Sequence, residues 1–164
     1  MLKTQTKEAI LELQKRYPEK RSALIPALHL AQEEVGYLPP SIQLEVAELF
    51  GIDPNEVRAV VSFYDMFFEE PVGKQLFRVC KNLSCMLLGA DQLLERLSEK
   101  WGICPGQTSG DGACTLLAVE CLGACDRAPA LLLNQELMGP VGEIELDAAA
   151  LKCGLKPKDE ASNG

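Results

Sequence analysis

The sequence predicts an α+β protein in which a run of helices precedes a β-α-β-β-α unit. Three observations carry this expectation. Up to about residue 70, apolar residues recur at helical i, i+3, i+4 spacing, and their runs stop at Gly or Pro. From Lys74, short runs rich in β-branched and aromatic residues, bounded by turn residues, replace that pattern. Between the first two of these runs lies one long amphipathic stretch, as a right-handed crossover between parallel strands requires.

Each element follows from its own residues. TQTKEAILELQKRY (4–17) sets Ile10, Leu11 and Leu13 among charges, and Pro18 stops it. SALIPALHLAQEEVGY (22–37) places Leu24, Ala27, Leu28, Ala31 and Val35 on one stripe, with Gly36 as its end. Pro26 fits only near the start of that helix. Pro40-Ser41 opens a third helix that ends at Gly51. Asp53-Pro54-Asn55-Glu56 opens a fourth, with an Asp N-cap, Pro at the first helical position and Glu three residues after the cap. Val57, Val60, Val61 and Tyr64 should face its neighbours.

In the second half, QLFRVC (75–80) reads as a strand. Met86 to Trp101 reads as one amphipathic helix, with Ala90, Leu93, Leu94, Leu97 and Trp101 on a stripe and Gly102 at its end. PGQTSGDG (105–112) is a turn-rich loop, TLLAVEC (115–121) a second strand and APALLLN (128–134) a third. Gly139-Pro140 and Gly142 break a hairpin before a last short helix, EIELDAAALKCG (143–154). The expected domains are a helical one over 1–73, a second over 74–152, and a polar tail over 153–164.

Composition excludes several classes. The net charge is −8 and no Lys/Arg stripe or basic tail is present, so nucleic acid is not an expected partner. No apolar run approaches the roughly 18 residues of a membrane span, so no direct membrane insertion is expected. The charged N-terminus lacks the apolar core of a signal peptide, and the reading is a cytoplasmic protein. There is no P-loop, no G-x-G-x-x-G, no Ser/His/Asp set and no C-x-x-C.

The cysteines are the outlier. There are seven: Cys80, Cys85, Cys104, Cys114, Cys121, Cys125 and Cys153. In a chain without a secretion signal, close pairs read as metal-binding or catalytic sooner than as disulfides. Cys80 and Cys85 form C-x4-C after the first strand, and Cys121 and Cys125 form C-x3-C after the second. In a parallel β-α-β unit both strand ends lie on one sheet edge, so the two pairs should meet there. Four thiolates suit Zn²⁺ or an iron–sulfur cluster. A [2Fe–2S] unit takes two cysteines per iron, and one pair from each loop matches that arrangement. Gly123 would let backbone come close to such a cluster, with amide N–H groups of both loops as donors to sulfur. A zinc scaffold and redox thiols stay open as alternatives. A Rieske centre does not, because it needs two histidines and the chain has only His29. Cys104, Cys114 and Cys153 read as free thiols, buried or at the surface, His29 as a structural or surface histidine, and Phe63, Tyr64, Phe67 and Phe68 as packing, with a partner-facing surface as the alternative.

The set "EEVGYLPP", "VVSFYDMFFEEPVGK", "VCKNLSC", "PGQTSGDG" and "VECLGACDRAP…LLLN", in this order and spacing, resembles the small [2Fe–2S] subunit of bacterial complex I, the NADH:quinone oxidoreductase E subunit. The same module occurs in NAD-linked and electron-bifurcating hydrogenases and in NAD-dependent formate dehydrogenases. The resemblance covers about residues 5 to 150. It implies an N-terminal helical bundle followed by a thioredoxin-like [2Fe–2S] ferredoxin domain, with Cys80, Cys85, Cys121 and Cys125 as cluster ligands. It implies an electron carrier without a substrate site of its own, beside a flavoprotein subunit that binds FMN and NADH and further iron–sulfur subunits. The place it implies is the cytoplasmic face of the inner membrane, in a peripheral arm.

Overall fold

Glycine and proline punctuate the first helices where the pattern places them. In the computed structural model, which describes residues 1–152, α1 spans Thr4–Gln14, a 3-10 turn Lys20–Ala23, α2 Leu24–Val35, α3 Pro40–Phe50 and α4 Pro54–Phe63. Gly36 and Gly51 close α2 and α3 in the left-handed conformation. The Asp53 carboxylate accepts the Asn55 N–H at 2.8 Å and caps α4. The expected tail and Cys153 lie outside the described residues. The chain divides into two compact units, Met1–Pro71 and a second that begins at Val72.

The apolar stripes of the first unit meet in one core, in which Ile10, Leu28, Leu38, Ile42, Val46, Val57 and Val61 are fully buried. Amide side chains tie the chain that crosses this core. Gln32 donates to the Met66 carbonyl and accepts the Phe68 N–H, both at 2.8 Å. Gln43, itself buried, donates to the Leu38 carbonyl at 2.8 Å. The His29 ring packs on Phe67 with centroids 5.0 Å apart, the structural one of the two roles expected of it. Tyr64 also packs on Phe67, whereas Phe63 is exposed.

The second unit is a five-stranded sheet in the order β2-β3-β1-β4-β5, formed by Gln107–Thr108, Cys114–Val119, Gln75–Cys80, Leu131–Leu133 and Glu136–Met138. β1 and β3 are parallel, with Cys80 opposite Val119, and the other pairs are antiparallel. Between β1 and β3 stand α5 (Leu83–Leu87) and α6 (Ala90–Trp101), and α7 (Glu143–Lys152) follows the sheet. Phe77, Val79, Leu116 and Leu131 of the sheet bury against Leu97 of α6 and Leu146 and Ala149 of α7. Trp101 packs on Phe77 at 4.5 Å between ring centroids.

Three expectations change. The stretch Met86 to Trp101 is two helices, because Gly89 takes φ +101° and breaks the run. The turn-rich loop contains β2, whose Gln107 and Thr108 pair with Leu116 and Thr115. The apolar run 128–134 is the first arm of a hairpin turned at Asn134-Gln135, with Asn134 at φ +53°, ahead of the glycines expected to break it.

Candidate metal centre

Parallel pairing of β1 and β3 carries both chain exits to one edge of the sheet. Cys80 is the last residue of β1, and the Lys81 N–H still bonds the Val119 carbonyl at 2.9 Å. Asn82 caps α5 by accepting the Leu83 N–H at 2.9 Å, and Cys85 sits inside that short helix rather than opening a long one. β3 ends at Val119, so Cys121 stands two residues past the strand. Cys125 begins a 3-10 turn, Cys125–Arg127.

The site has a buried and an exposed half. Cys80 and Cys85 are each 2% exposed, and their thiols are near enough to act on each other's titration. Cys121 and Cys125 are exposed, with sulfurs 3.9 Å apart. Cys125 is near enough to act electrostatically on Cys85.

Backbone N–H groups converge on these sulfurs. Burial pushes the Cys80 thiol up, but the N–H groups of Asn82 and Leu122 and the Cys85 thiol outweigh it, and the net shift is downward. For Cys85 burial wins, with Cys80 and Cys125 adding to it, and the Ala130 N–H only partly offsets the rise. The Gly123 N–H reaches Cys121 Sγ at 3.3 Å. Four donors thus favour negative charge on sulfur. Donors from both loops are what the sequence leads one to expect, but it does not name Asn82, Leu122 or Ala130. The signals that could have found them are Asn82 as an N-cap and Gly123 as a close-approach residue.

Charge across the site is balanced by pairs. Glu120 accepts from Lys81 at 3.3 Å and from Asn82 Nδ2 at 3.3 Å, which joins the two cysteine loops. Those bonds, Lys81 first, hold its carboxyl below the usual range. Arg127 pairs with Asp126 at 3.7 Å. Arg78, near the ligands in sequence, instead bonds the Asn134 carbonyl. Cys104 is exposed and Cys114 buried in β3.

This donor set fits a two-iron cluster. The thiols stand as two pairs, and a [2Fe–2S] cluster takes two thiolates at each iron. An open groove of about 510 Å³ between α6 and the start of α7, lined by Leu88, Leu93, Arg96, Val141 and Glu145 among others, holds none of the four thiols.

Fold and thiol pattern together define a [2Fe–2S] ferredoxin on a thioredoxin-like frame. Residues 10–153 match the family described as thioredoxin-like [2Fe-2S] ferredoxin, and the chain belongs to that family, whose cofactor is a [2Fe–2S] cluster. It is similar to the second E subunit of the NADH-quinone oxidoreductase of Rhizobium meliloti, 44% identical over 133 residues that cover 81% of this chain and 79% of that one. To the NADH-quinone oxidoreductase E subunit of Aquifex aeolicus it is 37% identical over 146 residues, 89% of each chain. The corresponding E subunit of Mycobacterium tuberculosis is 44% identical over 121 residues, and this chain spans about half of its length (48%). Among solved structures, an NAD⁺-reducing [NiFe]-hydrogenase in the air-oxidized state superposes with a TM-score of 0.70 at 28% identity. That match covers 80% of this chain but 22% of the hydrogenase chain. No helix among the described residues is long and apolar enough to cross a membrane.

Proposed function

We propose that this chain is the electron-transfer subunit of an NADH:quinone oxidoreductase, with its [2Fe–2S] cluster held by Cys80, Cys85, Cys121 and Cys125. Its partner is the flavoprotein subunit that binds FMN and NADH, with further iron–sulfur subunits beyond, in a peripheral arm on the cytoplasmic face of the inner membrane. The observation that supports this reading is that parallel β1 and β3 bring the Cys80/Cys85 and Cys121/Cys125 loops to one sheet edge, where the Cys121 and Cys125 sulfurs lie 3.9 Å apart and the Gly123 N–H reaches Cys121 Sγ.

When bound, the cluster supplies a centre that gains and loses one electron at a time. The chain's own residues set its surroundings. Cys80 and Cys85 anchor it in the core, and burial excludes water from that half. Cys121 and Cys125 present the other half at the surface, where exchange over a short distance is possible. The N–H groups of Asn82, Leu122, Gly123 and Ala130 stabilise negative charge on the sulfurs. Lys81 and Glu120 cross-link the two loops and leave little net charge beside them. The first unit contributes no ligand, and its role in this reading is docking.

The hydrogenase likeness supports a second reading, in which the same module serves an NAD-linked hydrogenase or formate dehydrogenase. Iron and acid-labile sulfide per chain, with an EPR spectrum after dithionite reduction, test the cluster. Co-purified subunits separate the two hosts. Two irons, two sulfides and an S = 1/2 signal are expected; zinc in their place would sink the electron-carrier reading and leave a scaffold.

A further inference from the structure

The turn that carries Cys125 is seated against a second segment. A Cβ placed on Gly139 would stand 2.2 Å from the Arg127 carbonyl oxygen, 3.0 Å from Arg127 Cβ and 3.2 Å from Arg127 C. Ordinary contacts between non-bonded carbons lie near 3.5–4.0 Å, so no other residue fits here unless the backbone yields. One step on, the Val141 N–H donates to the Pro129 carbonyl at 2.9 Å, and Val141 itself is buried in the core. Segment 139–141 is therefore a strap that bears on residues 127 and 129. Arg127 in turn closes the 3-10 turn that starts at Cys125, through its N–H to the Ala124 carbonyl at 2.9 Å. A push on Arg127 displaces that turn as a body.

We propose that Gly139 is a positioning residue for the cluster. Its missing side chain lets the strap seat against the 125–129 loop and so fixes where Cys125 Sγ stands beside Cys121 Sγ. This inference rests on the cysteine assignment above, because a strap can tune only a ligand that is in use. The orientation and solvent exposure of one ligand sulfur are levers on a cluster's potential and spectrum. Filling the space at 139 therefore alters the cluster, beyond any loss of stability.

A control of equal severity is built into the same unit. A Cβ on Gly73 would lie 2.5 Å from the Cys114 backbone, at the start of β3, whereas the cysteines follow its end. The test compares full-length Gly139→Ala, Gly73→Ala and Val141→Ala, the last loosening the strap without a clash. Melting temperature, iron content, EPR g-values and the potential from a dye-coupled titration are read on each cluster-loaded protein. Gly139→Ala and Val141→Ala are expected to shift the g-values. Gly139→Ala should also move the one-electron equilibrium by about tenfold, roughly 59 mV. Gly73→Ala should lower the melting temperature and leave signal and potential at their wild-type values. Were Gly139→Ala to melt early with an unchanged spectrum and potential, the strap would be structural only and the inference wrong. If that variant does not fold, an unchanged signal in Val141→Ala overturns it equally. Absence of iron and sulfide from the wild type would overturn the cysteine assignment itself, a different failure from a wild-type cluster that ignores residue 139.

Discussion

The two units of this chain bury polar groups for opposite purposes. In the first, Gln14, Gln32 and Gln43 turn inward and spend their amides on backbone carbonyls and N–H groups of neighbouring turns, at 2.8–3.2 Å. The result is a closed helical body whose side chains satisfy its own backbone. In the second, the backbone serves side chains: N–H groups of Asn82, Leu122, Gly123 and Ala130 are aimed at thiols. A scaffold consumes its polar groups internally. The candidate site spends backbone donors on sulfur instead.

The sharpest way to break that contrast is to remove ligands. Cys80→Ala, Cys85→Ala, Cys121→Ala and Cys125→Ala should each lower iron content from about two per chain to near zero and abolish the reduced EPR signal. Cys104→Ala, at an exposed position outside the site, should leave both intact. An iron count that survives loss of any of the four would remove that residue from the ligand set.

Core truncation comes next in size, and its two arms separate the units. Phe77 and Leu28 are both fully buried, one in each core. Phe77→Ala should cost about 3–5 kcal/mol and Leu28→Ala about 2–5 kcal/mol. Phe77 lies three residues before Cys80 on the same strand, so its loss should also lower cluster occupancy. Leu28→Ala should melt its unit earlier while the EPR line shape stays unchanged. Equal spectral damage from both, read beside calorimetry, would show that the first core also shapes the cluster.

What could be read in the sequence follows the same division. The helices of the first unit announce themselves locally: Pro54 and Asp53 start α4, and Gly36 and Gly51 end α2 and α3 where the stripes stop. β1 is legible to the residue, because QLFRVC combines β-branched and aromatic residues between turn residues. That the two cysteine-bearing loops leave the same sheet edge is also legible, since it needs only parallel strands and one crossover. Features that depend on distant partners are not. β2 is two residues long and exists because Leu116 and Thr115 lie opposite it. The hairpin turn at Asn134 carries no glycine; its side chain and backbone bond Leu76 of β1 instead, at 2.9 Å each. Gly89 sits within an unbroken apolar rhythm, so periodicity alone runs through it. The contact of Gly139 with Arg127 is a meeting of two loops that no spacing rule encodes.

A smaller effect isolates a purely local signal. The Asp53 cap on α4 is an exposed contact with Asn55, and Asp53→Ala should cost about 1 kcal/mol, with Asp53→Asn close to neutral. Urea midpoints of the three proteins decide it. A loss shared by the Asn variant would mean that charge, rather than cap geometry, matters there.

The smallest effect is one of pH, and it belongs to the first unit. Glu45 receives Lys7 Nζ at 2.9 Å and the Leu2 N–H at 3.1 Å, with the N-terminal ammonium 3.6 Å away. The Lys7 bond first, and these neighbours after it, hold the carboxyl below its ordinary value near 4.5 despite partial burial. The folded state therefore binds this proton less readily than the unfolded chain. Its contribution is complete above that ordinary value and is lost as pH falls through the lower folded one. Glu45→Gln should cost about 1 kcal/mol or less at neutral pH, as partly exposed ion pairs do. The gap between variant and wild type should then close as the solution is acidified below pH 4.5. Because Glu45 lies in the helical unit, the acid limb should appear in that unit's melting transition and leave the cluster's EPR signal untouched. A gap that stays constant down to about pH 3, well below the ordinary carboxylate value, would assign Glu45 a packing role and remove charge from the account of how α3 holds the N-terminus.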